Sequence, residues 1–513
     1  MQDLVSKSFN LYQHNISKII YYTCIITLGI VLIERVFIIF SYEPHIAGID
    51  NNFDYPIIRS LTGFSIYPDP EDYPYAVNPY APLFFIVCKW VSLLLNINPT
   101  DTITVYWVSR SVSLIADIGT CILFFRILRR HLKVSNYLSV VCISLFFCII
   151  SFLGYTINRS DSFFLFFYCF TIYALIRFSK SKSIWATILP ALLTTFCIFS
   201  KQNGISLLVL VPAWYYFGKN YRSIIIFLIS SALFIVSTFL YFEYVYTNQH
   251  FSSHIIEPLK NKIDLRWFYI YVFRLIAPTY LTLPIAASLI IAVKAIAENG
   301  DSMLKRLGIL CILQFPISAA LSLKWGSSLG YYNESFLLGF VIIATYISIT
   351  ISQDKIKHIS SVAIYSYPAL FILIFHMIAQ LYFFFLNDNA ESKKTYKEQV
   401  QIGNYIKDAI GTKDKYAIDI TNANFNFFKN ILFKESAAPN IDAVWCCTLP
   451  DSVFNYSGLL NGFENGKIMF IIKEREAVIN EVWGVDIRHY VKDTTFSNYS
   501  IYRYTDLPAS EKR

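Results

Sequence analysis

Charged side chains are scarce in this sequence of 513 residues. Lys, Arg, Asp and Glu together make up 15% of it, whereas a typical soluble domain contains about 25%. Hydrophobic residues make up 55%, and the mean hydropathy is +0.47. So little charge excludes an ordinary soluble protein. The composition indicates an integral membrane protein that has the lipid bilayer as a partner, and no nucleic-acid partner is expected.

Regular alternation of apolar and polar residues is also absent from the first 385 residues. The apolar residues come in continuous runs, near the length that crosses about 30 Å of hydrocarbon. Only helices and closed barrels satisfy their backbone hydrogen bonds in lipid, and continuous runs favour helices. A shorter apolar stretch at 82–97 predicts a partly embedded helix. The longer runs predict eleven membrane-spanning helices, at residues 19–41, 104–125, 137–153, 161–177, 185–200, 203–217, 223–242, 276–293, 307–323, 334–351 and 360–386.

Metal-binding and redox motifs are missing as well. The ten cysteines form no CxxC motif and no Cys/His spacing typical of a metal site. Eight of them lie in apolar segments, where cysteine behaves as a small hydrophobic residue. His250, His254 and Glu257 share one segment between spans, but their spacing does not match a metal site. We therefore expect neither a metal nor another cofactor.

Basic residues follow every even-numbered span. Short loops rich in Lys and Arg face the cytoplasm, so the N-terminus is predicted inside and the C-terminus outside. The first span has no small-residue cleavage site after it, which predicts a retained signal anchor. The heavy use of Ile, Phe, Tyr, Asn and Lys suggests an AT-rich bacterial genome. The expected location is a bacterial inner (cytoplasmic) membrane, with the first external loop, residues 42–103, and the tail on its periplasmic face.

The tail from residue 387 has a different character. Its charge rises and its apolar runs shorten to four to eight residues, while Lys394 to Ile410 has helical spacing. We therefore predict two domains: a transmembrane domain at 1–386 and a small external α/β domain at 387–513. The fold class is an all-α polytopic membrane protein with about eleven transmembrane helices and this α/β tail.

Acidic residues are concentrated in the first external loop. Residues 42–81 contain six acidic side chains, Asp50 and Asp54 among them, and only one basic side chain, Arg59. Such a loop either uses its carboxylates or is merely solvated. Three further polar groups interrupt the apolar runs, and the predicted topology places all of them on the same outer face. They are Asn158-Arg159-Ser-Asp161, Lys201-Gln202-Asn203 and Lys324-Trp-Gly-Ser-Ser-Leu-Gly-Tyr-Tyr332-Asn333-Glu334.

Each of these charges also has a structural interpretation. Asp161 is suited to cap a helix start, and Lys201 to anchor at the membrane interface. Arg110 and Asp117 lie seven residues apart on one helical face, which predicts an internal ion pair. Charged residues inside spans are costly and are functional candidates by default, so the functional interpretation stays open beside the structural one.

The order of these motifs resembles the GT-C superfamily of integral-membrane glycosyltransferases, of the protein-O-mannosyltransferase and aminoarabinose-transferase type. The resemblance covers about residues 1–385. One departure concerns the first loop, where many relatives have adjacent acidic residues but Asp50 is followed by Asn51 and the second acid is Asp54. The matching pieces are Asp50 thirteen residues before Gly63, Ile66-Tyr67, Tyr80-Ala-Pro-Leu83, Asn158-Arg-Ser-Asp161, Ser200-Lys-Gln-Asn-Gly204 and Lys324-Trp-Gly…Tyr332-Asn-Glu334.

The resemblance implies an inverting transfer of a sugar from a polyprenyl-phosphate donor to a glycan, lipid or protein acceptor. Asp50 or Asp54 is then the general base, and which of them is left open. The phosphate is a good leaving group, so one base suffices, and fixed cations stabilise the departing anion. The implied residues for the donor phosphate and substrate are Arg59, Arg159, Asp161, Lys201, Gln202, Lys324, Tyr332, Asn333 and Glu334.

Two other functions remain as alternatives. A transporter or flippase of lipid-linked sugars predicts polar residues through the bilayer midplane and symmetry-related repeats, but no internal repeat is visible and the charges crowd one face. A non-catalytic scaffold leaves the shared position of Asp50, Asp161, Lys201 and Glu334 without a purpose. The transferase is therefore the preferred hypothesis.

Overall fold

A computed structural model of the chain describes most of its residues and forms two compact units. The first unit comprises residues 1–38, 113–237 and 261–387, and the second comprises 39–112, 238–260 and 388–513. The described residues are 2–44, 46, 50–152, 156–181, 183–247, 250–257, 265–276, 281–297, 302–323, 329–352, 389–411, 414–421, 426–438, 454–474, 481–482 and 484–505.

Helices dominate the described part of the chain before residue 353. In chain order they are α1 Gln2–Ile39, α2 Asp50–Leu61, α3 Leu83–Leu94, α4 Thr102–Arg126, α5 Asn136–Phe152, α6 Ser160–Arg177, α7 Trp185–Ser200, α8 Leu207–Phe217, α9 Tyr221–Leu240, α10 Phe251–Ile255, α11 Leu265–Phe268, α12 Thr282–Ala297, α13 Ser302–Leu321 and α14 Asn333–Ser352. Short 3-10 turns at Gln202–Ser206 and Leu329–Tyr332 precede α8 and α14, and π-helical turns follow α4, α9 and α11 at Ile127–His131, Tyr241–Tyr246 and Tyr269–Ile276.

Six of the described helices are long and apolar enough to cross a membrane. They lie at Lys18–Ile39, Thr102–His131, Ser160–Arg177, Tyr221–Tyr246, Met303–Leu321 and Gly330–Thr350. Shorter apolar helices occupy Leu83–Leu94, Asn136–Ser151, Trp185–Ser200 and Thr282–Ala297. A multi-pass helical membrane protein is confirmed. The count of eleven and the orientation stay predictions, and the predicted span 360–386 lies outside the described residues.

Helix α9 shows why these helices require lipid. Ile225, Ile229 and Leu233 lie four residues apart on one face of the helix and are 60%, 65% and 63% exposed. Only 17% of the most apolar part of this helix is buried in the protein. A long apolar helix face that the rest of the protein does not cover is stable in contact with lipid hydrocarbon but not with water.

The described part of the tail contains three helices, a four-stranded sheet and a two-stranded pair. The helices are α15 Asn389–Ile410, α16 Phe428–Ile431 and α17 Ser457–Glu464, and the strands are β1 Tyr416–Asp419, β2 Ile468–Glu474, β3 Glu481–Val482, β4 Val485–Asp486, β5 Tyr490–Thr495 and β6 Tyr499–Tyr504. Four strands pair in the order β1-β2-β6-β5, with β1 parallel to β2 and the other pairs antiparallel. Strands β3 and β4 form a separate antiparallel pair. The predicted α/β character of the tail is confirmed, whereas its external location and the boundary at 386/387 stay predictions.

The central strand β2 is buried on both faces of the sheet. Phe470 and Ile472 pack with Ile402, Ile406 and Ile410 of α15 on one face. Because side chains alternate along a strand, Ile471 packs on the other face. This arrangement explains why the strand is a continuous apolar run rather than an alternating one.

The second face of the sheet is covered partly by the first loop. Tyr75 and Val77 belong to the same buried cluster as Ile471 and Phe463, and the Tyr73 ring stacks on Tyr416 with centroids 4.2 Å apart. The tail and the first loop therefore share one hydrophobic core within the second unit.

Candidate functional site

The two candidate carboxylates lie on α2, a helix that was not predicted in the loop at 42–103. Asp50 is its first residue, where the partial positive charge of a helix N-terminus stabilises an anion. Asp54 follows four residues later and therefore lies on the same face. Both side chains are fully buried. Buried carboxylates need partners, since an isolated buried charge is very costly.

Helix α4 supplies a partner to each carboxylate. The Arg110 guanidinium lies 3.3 Å from the Asp50 carboxylate, and both side chains are completely buried. The neighbouring Ser109 hydroxyl donates to Asp54 at 2.7 Å. Arg110 also donates to the backbone oxygens of Ser41 and Glu43, so its position is fixed from two sides. Asp50 is thus in an ion pair, whereas the hydroxyl beside Asp54 is neutral.

The predicted ion pair between Arg110 and Asp117 is wrong. Asp117 pairs with Arg35 at 2.9 Å in the first unit, and Arg110 pairs with Asp50. Two residues seven apart share a helix face but are separated by two turns, or about 10 Å along the axis. Each therefore meets a partner on another element. The charge of Arg110 inside an apolar span marks it as a candidate, but its partner on α2 cannot be inferred from the sequence.

Arg59, which was predicted to bind the donor, lies in the last turn of α2. Its Nε donates to the Ser65 backbone oxygen at 2.8 Å, and its Nη1 donates to the Tyr55 hydroxyl at 3.2 Å. Gly63 ends the helix at φ 85°, a conformation that favours glycine. Arg59 therefore orients the chain that leaves α2, and its predicted contact with a phosphate stays a prediction.

His254 fastens the loop that follows α2. Its Nδ1 accepts the Asn78 backbone N–H at 2.9 Å, so Nε2 carries the proton that it donates to the Pro68 backbone oxygen. Burial lowers the pKa of His254 to about 4. This neutral ring holds two distant points of the loop together, and both nitrogens are used in doing so. From its sequence context, His254 was considered only as a possible metal ligand.

Two of the four predicted cations, Arg159 and Lys201, contact one carboxylate at the start of α6. Asp161, in the first turn, accepts from Lys201 Nζ at 2.6 Å and from Arg159 Nε at 3.2 Å. Lys201 also lies 4.3 Å from the centre of the Tyr331 ring. Arg159, Asp161 and Lys201 are nearly buried, with at most 8% of any of these residues exposed. These three residues form the cation cluster, whose net charge is positive, and this is the charge that a phosphate requires.

The position of Lys201 depends on a glycine three residues later. Gly204 lies in the 3-10 turn that follows Lys201. A Cβ at this position would come within 2.5 Å of the Ile198 nitrogen and 2.6 Å of the Cys197 carbonyl carbon. Because backbone atoms cannot rotate away, only glycine allows this turn to pack directly against α7. This is the physical reason for the Ser200-Lys-Gln-Asn-Gly204 motif.

Glu334 lies near the cation cluster. It is 1% exposed in the first turn of α14 and lies within electrostatic range of Lys201 and Asp161. Across the described ranges, its Oε2 has no hydrogen-bond partner. A buried carboxylate oxygen of this kind is suited to accept from a substrate hydroxyl.

The other predicted donor residues lie close to these in sequence. The hydroxyls of Tyr332 and Ser322 are 3.0 Å apart, and Asn333 is 2% exposed as the first residue of α14. Gln202 is half-buried in the 3-10 turn after Lys201. Lys324 lies outside the described residues, so its predicted role is untested.

The candidate ligands for a metal are the His, Cys, Asp and Glu side chains of the described residues. In the part of the chain that the structure describes, no group of three His, Cys, Asp or Glu side chains is placed to hold an ion. Asp50 and Asp54 are occupied by a guanidinium and a hydroxyl. Metal independence stays a prediction.

Comparison with known proteins gives no match by sequence but several by structure. The chain matches no family model and no curated protein. It resembles ArnT from Cupriavidus metallidurans, whose crystal structure contains undecaprenyl phosphate, with a TM-score of 0.57 and 11% identity over 93% of this chain and 97% of that one. It also resembles the Archaeoglobus fulgidus oligosaccharyltransferase crystallised with Zn and sulfate, with a TM-score of 0.53 and 12% identity over 88% of this chain and 68% of that one. AglB from the same organism, in complex with an inhibitory peptide and a dolichol-phosphate, has a TM-score of 0.50 and 11% identity over 88% and 69%.

Proposed function

We propose, on the premise that the chain has the GT-C fold of these solved structures, that it is an integral-membrane glycosyltransferase. The fold resemblance that the sequence analysis predicted is confirmed, and the function goes beyond it. The observation that carries the proposal is the likeness, over nearly the whole of both chains, to a protein crystallised with undecaprenyl phosphate. We assign a polyprenyl-phosphate-linked sugar, hexosyl or pentosyl, as the donor.

The acceptor is a hydroxyl group on a glycan, a lipid-linked glycan such as lipopolysaccharide, or a protein. Among the neighbours, AglB is found with both a peptide and a dolichol-phosphate, which supports a macromolecular acceptor beside a lipid donor. The reaction is placed at the periplasmic face of a bacterial inner membrane, following the predicted topology.

The transfer is a single displacement. The acceptor oxygen bonds to the anomeric carbon of the sugar as the bond from that carbon to the phosphate oxygen breaks. The bonding pair leaves with the polyprenyl phosphate, and the acceptor proton passes to a carboxylate of α2. One displacement inverts the anomeric centre. The leaving phosphate is already a stable anion, so no general acid is required.

Asp50 is proposed as the general base, with Asp54 as the alternative. Asp50 matches the motif that resembles the superfamily and stands at the helix N-terminus, where negative charge is stabilised. Its ion pair with Arg110 holds it in the charged form that accepts a proton. Asp54, which accepts from the Ser109 hydroxyl, lies on the same face of α2 and is equally buried. The two carboxylates therefore require a paired test.

The cation cluster is proposed to bind the donor phosphate. Lys201 and Arg159 carry the charge, and Asp161 orients both side chains through its two oxygens. Cations fixed before the reaction stabilise the charge that develops on the phosphate without reorganising. Glu334, with a buried oxygen available among the described contacts, is assigned to a hydroxyl of the sugar.

Reconstitution tests the proposal directly. The purified chain in lipid nanodiscs is given a panel of undecaprenyl-phosphate sugars and lipid-linked glycan or peptide acceptors. We expect one glycoside formed and one undecaprenyl phosphate released per turnover, measured by mass spectrometry. Movement of the intact donor across a proteoliposome membrane without a new glycoside would support the transporter instead.

A further inference from the structure

A buried asparagine of the tail contacts the carboxylate helix directly. We propose that Asn430 of the tail is a positioning residue for the α2 carboxylates, so that residues 388–513 form part of the working site. This inference rests on the proposed function, because it concerns the same carboxylates. It adds a role for a tail region that the resemblance did not cover.

The contact is a closed set of hydrogen bonds among three side chains. Asn430 Nδ2 donates to the Tyr106 hydroxyl at 2.8 Å and to Asn51 Oδ1 at 3.4 Å. Tyr106 in turn donates to Asn51 Oδ1. The Asn51 amide nitrogen donates to the backbone oxygen of Asn426 at 2.8 Å. Both the oxygen and the nitrogen of the Asn51 amide are therefore hydrogen-bonded to the tail, the oxygen to Asn430 and the nitrogen to Asn426.

This network lies directly beside the two carboxylates. Asn51 follows Asp50 in α2, and Tyr106 stands three residues before Ser109 on α4. Tyr106 is within electrostatic range of both Asp50 and Asp54. A shift of Asn51 rotates α2, and both carboxylates move with it.

The three side chains of this network are buried, which makes its geometry specific. Asn430 is 1% exposed, Asn51 5% and Tyr106 0%. Phe427 and Ile431 flank Asn430 and pack with Tyr106 in one buried cluster. In such surroundings water does not replace a hydrogen bond that is lost, so these contacts hold the tail turn and α2 in one arrangement.

The turn that carries Asn430 is itself anchored to the sheet of the tail. Gln399 accepts the Phe427 backbone N–H at 2.9 Å and donates to the Tyr499 hydroxyl of β6 at 2.8 Å. On the other side, Asn426 donates to the Thr421 hydroxyl, which donates to Asp419 at the end of β1. Because both anchors are regular strands, the turn presents Asn430 from a rigid support.

Two side chains of the same type provide the test. Asn430→Ala removes both donated bonds, whereas Asn404→Ala changes an exposed residue of α15 in the same tail. For Asn430→Ala we expect kcat to fall on the order of 10-fold to 100-fold, because small displacements of reacting groups are that costly. The KM for the donor should stay near its wild-type value. Asn404→Ala should match the wild type in both constants.

A double variant shows whether Asn430 acts through Asn51. If it does, Asn430→Ala combined with Asn51→Ala should lose no more kcat than the more affected single variant, since both remove the same contact. Multiplied losses would overturn the proposal. So would a parallel rise in the donor KM with unchanged kcat. Asn430→Ser, which keeps a small donor, replaces Asn430→Ala if the latter does not accumulate, and a smaller kcat loss is then expected.

Hydrogen exchange separates this inference from the proposed function, because it requires no turnover. In the full-length protein, Asn430→Ala should accelerate exchange of the α2 amides at 50–61, and Asn404→Ala should not. Unchanged exchange overturns the positioning role. Full activity of both Asp50→Asn and Asp54→Asn overturns the proposed mechanism while leaving the exchange result intact.

Discussion

At the scale of single residues, the first prediction concerns the proposed general base. Replacing Asp50 by Asn keeps the shape and the contact with Arg110 but removes the proton acceptor. We expect transfer to fall on the order of 10²-fold or more, with little change in the amount of protein in the membrane. Steady-state rates of purified protein measure this.

Asp54→Asn is the matched control for that experiment, because Asp54 lies on the same helix face and is equally buried. If Asp50→Asn stays active and Asp54→Asn is inactive, the base is Asp54. Activity in both would exclude a carboxylate of α2 as the base.

Lys201 carries the second prediction at this scale. Lys201→Met keeps the stem and removes the charge that we assign to the phosphate. The value of kcat/KM for the donor should fall on the order of 10²-fold, whereas the acceptor KM should hardly change. Lys201→Arg should restore part of the loss, and exposed Lys397→Met should have no effect.

EDTA provides the independent check on this assignment. Fixed cations need no metal, so a chelator should leave the rate unchanged. Inactivation by EDTA that Mn²⁺ or Mg²⁺ reverses would show that an ion binds the phosphate instead.

His254 predicts a pH dependence of stability. Its pKa is about 4 in the folded protein because of burial, and about 6.5 in an unfolded chain. Between about pH 6.5 and pH 4, the His254 ring is therefore protonated in the unfolded chain but neutral in the folded protein. The free energy of unfolding should fall across this window by about 3 kcal/mol.

Thermal unfolding between pH 4 and 7 measures this effect. His254→Gln removes the titrating ring, so its unfolding midpoint should depend less on pH than that of the wild type. His250→Gln is the control, because His250 lies only four residues away and is half-buried. Equal pH slopes in all three proteins would rule out this role for His254.

At the scale of elements, the turn after α7 fixes the cation cluster. Gly204→Ala forces a Cβ into the backbone of α7, and overpacking of this kind costs about 1–3 kcal/mol. The unfolding midpoint should fall, and because Lys201 moves with the turn, donor kcat/KM should fall as well. Gly29→Ala is the control, since its Cβ would meet nothing within 4 Å. A Gly204→Ala variant as stable and active as Gly29→Ala would contradict the packing argument.

The elements also show where sequence patterns are informative. The continuous apolar runs that predicted the first ten spans coincide with described helices, because length and apolarity are properties of a segment itself. Helix α2 was not predicted, since its 12 residues are too few and too polar to form a span and they contain Pro56. That helix forms because α4 and the turn around Asn430 supply the partners of its buried polar side chains.

At the scale of the whole molecule, the orientation in the membrane is the decisive prediction. The basic residues after every even-numbered span place the N-terminus inside and the tail outside. Reporter fusions after residues 130, 220 and 300 should give cytoplasmic signals, and a fusion after residue 390 should give a periplasmic one. A cytoplasmic signal at 390 would put the tail, and the α2 carboxylates in the same unit, on the wrong side for the proposed reaction.

The sequence by itself determined that this is a multi-pass helical membrane protein, which apolar segments become helices in the described part of the chain, and the residue types of its candidate site. These follow from composition, run length and motif order, each of which is local. Only the tertiary structure decided which side chains meet. Asp50 finds Arg110 60 residues away, and Asn51 finds Asn430 379 residues away. Such partners depend on how helices and the tail pack, and a buried polar group accepts whichever partner that packing brings within reach.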